Sequence, residues 1–240
     1  MRNKNNPLND LIDQVKSSQA GGKGQNSIIE SDYRIEVIRK AIHLVSLSIP
    51  LTYYFIPKST ALILVIPLMV AFLTVDIARY YHKPVEEWFY KFFGFLLRKR
   101  ESDKKKKTLN GATYVLISAT ICIIFFPKII MIIGFSILII SDITAALIGR
   151  RFGKHKFIAK SLEGSLAFFV SAIVVIALTP KIEYLPSEYL IGIAAALVGT
   201  IAEALPADID DNLSIPISVG AVLWLLYTIL LPTLNVYKFG

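Results

Sequence analysis

The sequence predicts an all-α, polytopic membrane protein with about seven transmembrane helices and one amphipathic helix in the headgroup layer. Three observations predict it. Apolar residues make up 54% of the 240 and charged residues only 18%, whereas a soluble domain carries about a quarter charged residues. Mean hydropathy is +0.57. The apolar residues gather into runs near the ~20 needed to cross a bilayer core about 30 Å thick. These runs are continuous rather than alternating, which argues against strands. The net charge of +8 lies between the runs, and the apolar content is too high for a disordered basic protein. Nucleic acid is not an expected partner. The single cysteine, Cys122, sits inside an apolar run; an internal disulfide framework and a Cys-rich zinc site are therefore excluded.

Residues 1–33 are polar and contain no secretory apolar stretch. They are expected to be a disordered N-terminal segment, leaving the first membrane helix to direct insertion. Deleting residues 1–30 is expected to matter little, because they cannot bury apolar area. Residues 34–240 are expected to form the integral-membrane domain. The predicted spans run over 36–56, 60–80, 111–127, 129–149, 162–179, 188–205 and 213–233. Pro127 and Pro180 mark helix ends. The sixth span is rich in Ala and Gly and ends at Glu203. No internal repeat is visible.

The segment 84–107 is too short and interrupted in its apolar part to span. Trp88, Phe89, Phe92, Phe93, Leu96 and Leu97 recur at near-helical spacing and a basic cluster follows. This predicts a helix in the cytoplasmic headgroup layer with lysines facing anionic lipid; the plain alternative is a solvated loop. Lysine and arginine set the orientation. Residues 1–40 hold seven, 79–107 hold ten and 150–160 hold five, against only Lys58, Lys128, Lys181 and Lys238 elsewhere. The positive-inside rule then places the N-terminus in the cytoplasm and the C-terminus on the opposite side.

Ionisable groups inside membrane helices are costly and therefore functional candidates. Four groups stand out, all at cytoplasmic helix ends under this orientation. Arg39-Lys40-x-x-His43 opens the first span; Arg39 and His43 share a helix face. The plain alternative is a basic anchor reaching for lipid phosphates, which accounts for His43 less well. In the fourth span Asp142, Ala145, Ala146 and Gly149 form a stripe that is acidic, then small, followed by Arg150 and Arg151. Small residues admit another backbone or a ligand, but packing alone does not require the aspartate. Lys160-Ser161-x-Glu163-Gly164-Ser165 opens the fifth span. Ser161 fits an N-cap, helix N-termini bind phosphate, and Lys160 adds a point charge; simple capping is the alternative. Glu203, Asp208, Asp210, Asp211 and Asn212 crowd a short turn before the last span. Oxygen donors of this kind suit Mg²⁺, which keeps waters and borrows substrate phosphate oxygens; a solvated acidic loop is the alternative.

Carboxylates to hold a divalent ion, and basic groups with a helix N-terminus to hold polyphosphate, thus converge on one membrane face. These are the parts for phosphoryl transfer, which is mostly positioning and charge neutralisation. GGKGQNS at 21–27 lacks the closing GK[ST] and flanking strand of a P-loop and reads as linker.

RKAIHL at 39–44, SDITAALIGRRFGKHK at 141–156, KSLEGS at 160–165 and EALPADIDDNLSIP at 203–216 resemble the CTP-dependent lipid-alcohol kinases. That group comprises dolichol kinase, phytol and farnesol kinases and the fungal CTP-dependent diacylglycerol kinase, within the CDP-diacylglycerol synthase superfamily. The resemblance covers about residues 34–233. It implies γ-phosphoryl transfer from CTP to a membrane-dissolved alcohol with Mg²⁺ or a similar divalent cation. It also implies that Arg39, Lys40, Asp142 and Gly149 matter to catalysis, Asp142 by binding metal or by helping to deprotonate the hydroxyl. By the same resemblance Arg150, Lys160, Ser161 and Glu163, with the fifth span's N-terminus, hold the triphosphate, and Glu203, Asp210, Asp211 and Asn212 complete the metal and nucleotide site. His43 is a further candidate. The sequence lacks the KD and Gly/His-rich ending of the cytidylyltransferase branch, which makes CDP-diacylglycerol from phosphatidate; that activity is the nearest alternative. VDIARYY at 75–81 and RKRESDKKKKTLNG at 98–111 look like the diacylglycerol kinase, whereas EALPADIDDNLSIP looks closer to phytol kinase, so the lipid stays open between an isoprenoid alcohol and diacylglycerol. A small ion-coupled transporter using Asp76, Asp142 and Glu203 is the alternative of another class.

Overall fold

The computed structural model describes residues 33–94, 97, 101, 107–206 and 209–239. The polar N-terminal segment therefore lies almost wholly outside the described residues, as do Leu96, Asp208 and much of the basic cluster after position 97. The chain divides into two compact units, Met1–Arg39 and Lys40–Gly240. In the smaller unit Glu36 and Arg39 form an ion pair one helical turn apart. The larger unit contains everything that follows.

The protein is an all-α membrane protein. Residues 33–45 (α1) are helical, followed by α2 (Ser48–Phe55), α3 (Lys58–Ala78), α4 (Lys83–Phe93), α5 (Gly111–Phe125) and α6 (Lys128–Phe152). A two-stranded antiparallel hairpin, β1 (Lys156–Phe157) with β2 (Lys160–Ser161), leads to α7 (Leu162–Leu178), α8 (Pro186–Ala204) and α9 (Asp211–Leu230). Four helices, α3, α6, α8 and α9, are long and apolar enough to cross a bilayer; α5 and α7 are apolar and shorter.

The expected first span, 36–56, is not one helix. A turn at Ser46 and Leu47 separates α1 from α2. Pro50 supplies the reason: a proline ring clashes with the carbonyl four residues back and lacks the N–H of the helical bond, but fits a first helical turn. The chain restarts at Ser48 so that Pro50 falls within that turn. In the 84–107 segment α4 accounts for the first part. Trp88, Phe92 and Phe93 are exposed on it and Phe89 is buried, so the aromatic residues do recur on helical turns.

α6 is the central helix. Ile129, Ile130, Phe135, Ile137, Leu138 and Ile139 are fully buried, whereas α3 turns Ile63, Leu64, Leu68, Val70 and Phe72 outward. A helix apolar all round suits either a protein core or lipid, and the two helices take one option each. α6 packs chiefly on α7 and α9, α8 fills between α7 and α9, and α3 rests on α5. The Ala/Gly composition of α8 serves this packing: a Cβ on Gly192 would lie 2.6 Å from Ile176 and one on Gly199 2.8 Å from Val219. Small residues let helices approach where no water drives them together. At the opposite end Glu188 gathers the chain before α8, accepting bonds from Ile182 N, Glu183 N, Leu185 N and the Tyr227 hydroxyl. The buried ammonium of Lys181 donates to the Ile176 and Thr179 carbonyls, groups freed where α7 ends.

Candidate active site at one end of the bundle

Two charged clusters stand at the end of the bundle formed by the C-termini of α6 and α8 and the N-termini of α7 and α9. The first is built on Asp142, buried about three turns inside the end of α6. Lys40 of α1 is buried against it and its ammonium bonds Asp142 Oδ2. His43 Nε2 lies 3.8 Å from the same oxygen. Lys40 and His43 are three residues apart, so both reach one face of α1. A carboxylate removed from water loses hydration worth several kcal/mol, and a close counter-charge is what permits its burial.

The second cluster is Lys160 with Glu203 and Asp211. The Lys160 ammonium lies 2.8 Å from Glu203 Oε1 and 3.0 Å from Asp211 Oδ2. Three elements converge there, and the hairpin sets the position. Ile158 at its tip takes φ 53, a left-handed conformation that costs a β-branched residue of order 1–3 kcal/mol. Ala159 N then bonds the Ala204 carbonyl at 3.1 Å, which carries Lys160 to the end of α8. Glu203 also accepts from Ser165 Oγ at 3.3 Å. Burial opposes the charge on Lys160, but the Asp211 and Glu203 carboxylates outweigh it and raise the ammonium above the usual lysine pKa.

The α6–α7 crossing joins the clusters. A Cβ on Gly164 would lie 3.0 Å from the Ala145 carbonyl, one turn along α6 from Asp142; a Cβ on Gly149 would lie 2.9 Å from Ser161 Oγ. Gly149 therefore brings two backbones together, and the residue after Gly164 is the Ser165 that holds Glu203. Ser161 caps α7 by accepting from Gly164 N at 3.2 Å. Glu163 turns back to the hairpin, 2.8 Å from His155 Nδ1. Asp210 caps α9, accepting from Asn212 N at 3.1 Å and from Asn212 Nδ2 at 2.7 Å. Arg150 is exposed at the end of α6. Arg39 falls in the smaller unit, paired with Glu36.

The structure thus brings together Lys40, His43 and Asp142 in one cluster, and Lys160, Glu203 and Asp211 in another. It does not gather Asp142, Glu203, Asp210 and Asp211 into a single nest: among the described residues no group of three or more His, Cys, Asp or Glu side chains is placed to hold a metal ion. The pair Glu203–Asp211 does fit a divalent cation, because both carboxylates already converge on one cationic atom, the Lys160 nitrogen, and Mg²⁺ is commonly held by one or two carboxylates with substrate phosphate.

Sequence reasoning quoted Gly164 and Ser165 in the motif that opens the fifth span without giving either a role, and it missed a buried clasp against α4. Asp76 is paired at 2.7 Å with Arg79, the residue that follows its helix, both side chains fully buried. Arg79 also bonds the Tyr80 hydroxyl and the Thr108 carbonyl and stacks on Phe89 of α4. Asp76 Oδ2 accepts from Asn110 N at 2.7 Å, and Asn110 caps α5 through Thr113 N. Gly111 then lies beside Asn212, where a Cβ would come 3.5 Å from Nδ2. An Asp and an Arg three apart at a helix end were the available signal.

The chain is 30% identical over 189 residues to the uncharacterized protein RP860 of Rickettsia prowazekii, spanning 78% of this chain and 92% of that one. It is 29% identical to CTP-dependent diacylglycerol kinase 1 of Schizosaccharomyces pombe, over 64% of this chain and 75% of that protein. It is 30% identical to a probable chloroplastic phytol kinase of Triticum aestivum, over 52% of this chain and 46% of that protein. No protein-family profile and no solved structure matches.

Proposed function

For a chain that belongs to one family with the Rickettsia protein RP860 and is similar to two lipid-alcohol kinases, we propose phosphorylation of a membrane lipid alcohol by CTP at the cytoplasmic face. The observation that carries this reading is the pair of charged clusters at one end of the bundle, joined through the glycine crossing of α6 and α7. In this reading the lipid hydroxyl oxygen attacks the γ-phosphorus of CTP, the bond from that phosphorus to the β–γ bridging oxygen breaks, and CDP leaves. The hydroxyl proton passes to the Asp142 carboxylate, against which the Lys40 ammonium is buried. Arg150 and the N–H groups at the start of α7 face the triphosphate, as helix N-termini do for anions. A divalent cation at Glu203 and Asp211 supplies charge neutralisation to the phosphates when bound. Asp210 acts through Asn212 and the end of α9. The greasy acceptor, a polyprenol, phytol, farnesol or diacylglycerol, reaches the site from the bilayer. The similarity to the two named kinases supports this acceptor class.

The test is the purified full chain in liposomes with labelled CTP or ATP, each offered with phytol, farnesol, a long polyprenol and diacylglycerol. A phosphorylated lipid with CDP as co-product is the expected result. Pyrophosphate release with phosphatidate would make the protein a cytidylyltransferase instead. Ion uptake without nucleotide would favour transport.

A further inference from the structure

Lys160 sits where a phosphate-binding lysine is expected, yet its ammonium is committed to two carboxylates from different helices, at 2.8 Å and 3.0 Å. We propose that Lys160 is a displaceable counter-ion: it bridges Glu203 and Asp211 and yields that pair when a divalent cation binds. The inference rests on reading Glu203 and Asp211 as the cation-holding residues of the proposed site.

The asymmetry of the cluster supports it. The Glu203 side chain is buried and braced by Ser165, and Asp211 is fixed in the first turn of α9. Lys160 is the most exposed member, its side chain at 34% against 22% for Asp211 and 5% for Glu203, and its position is carried by a short hairpin. Two carboxylates held by helices thus face one ammonium on the flexible four-carbon stem of a lysine. With both acids ionised and Lys160 withdrawn, a net charge of −2 would remain partly desolvated, which is costly. Lys160 removes half of that charge while the cluster waits, and a divalent ion would remove all of it. One consequence follows from competition for the same oxygens: the free protein should hold a divalent cation more weakly than the carboxylates alone would allow.

The experiment needs neither nucleotide nor lipid. Mn²⁺ binding to the full chain in nanodiscs is measured by electron paramagnetic resonance for wild type, Lys160→Gln and Lys160→Arg. Lys160→Gln is expected to bind Mn²⁺ at least about tenfold more tightly than wild type, and Lys160→Gln with Glu203→Gln to lose that gain. Lys160→Arg, which keeps the competing charge, is expected to stay near wild type. Equal affinity in wild type and Lys160→Gln, or Lys160→Arg binding as tightly as Lys160→Gln, would overturn the proposal. A second measurement uses wild type alone. Acylation of Lys160, followed by mass spectrometry, should speed up several-fold when Mn²⁺ is added, and an unchanged rate would overturn the proposal even if the variants failed to fold. A protein that shows the exchange but phosphorylates no lipid would retain this inference and lose the proposed function; one that phosphorylates lipid with no exchange would do the reverse.

Discussion

Asp142 lies in a membrane helix about three turns from its end, where a carboxylate is tolerated only with its charge answered, and Lys40 answers it. Asp142→Asn should abolish lipid phosphorylation while the protein remains inserted and folded; wild-type turnover at equal protein amounts would count against the assignment. Lys40→Met leaves the aspartate buried and unanswered, and breaking a buried pair in this way typically costs about 3–5 kcal/mol. The double variant Lys40→Met with Asp142→Leu removes both charges and should recover part of that loss, as read by thermal unfolding in detergent. Lys181, at the opposite end, titrates differently from Lys160. Burial pushes it down to about 8, with Glu188 opposing. Its folded pKa is thus below that of an unfolded lysine, about 10.4, and the unfolded chain binds the extra proton between those values. Its contribution to stability should therefore rise with pH between about 8 and 10.4, and Lys181→Met should flatten that part of the stability–pH curve.

At the scale of elements, the α6–α7 crossing is sensitive to a single change. A side chain at Gly164 meets the Ala145 carbonyl, which is backbone and cannot turn aside. Gly164→Val should lower the unfolding temperature and reduce activity by pulling Ser165 from Glu203 as the helices part; Ser165→Ala should reduce activity with little change in unfolding temperature, and an equal loss of stability in both would contradict this. The four long helices α3, α6, α8 and α9 could be recognised from apolar run length, because bilayer thickness imposes it. The break in 36–56 was hidden, since run length counts apolar residues and is blind to the proline at 50 that ends one helix and starts another. The clasp of Asp76 and Arg79 was hidden for a related reason: a charged pair near a span end looks like loop until Phe89 of α4 and Asn110 of α5 are seen to close over it.

For the whole molecule, the charge asymmetry makes a testable statement about sidedness. Cys122 is buried, so cysteines introduced at exposed His155 or Glu183 can be labelled selectively. His155→Cys should react with a membrane-impermeant maleimide only from the cytoplasmic side, and Glu183→Cys only from the other. The reverse pattern would invert the proposed orientation. Membrane residence, helical class and the residues too costly to be incidental could all be read along the chain, because hydropathy, span length and charge cost belong to each segment separately. The pairing of Lys160 with Glu203 and Asp211 rather than with open solvent, the separation of Asp142 from those acids into its own cluster with Lys40, and the use of Gly149 as a contact between helices were settled by folding. They depend on which helix ends meet, and that is set by packing among segments far apart in the chain.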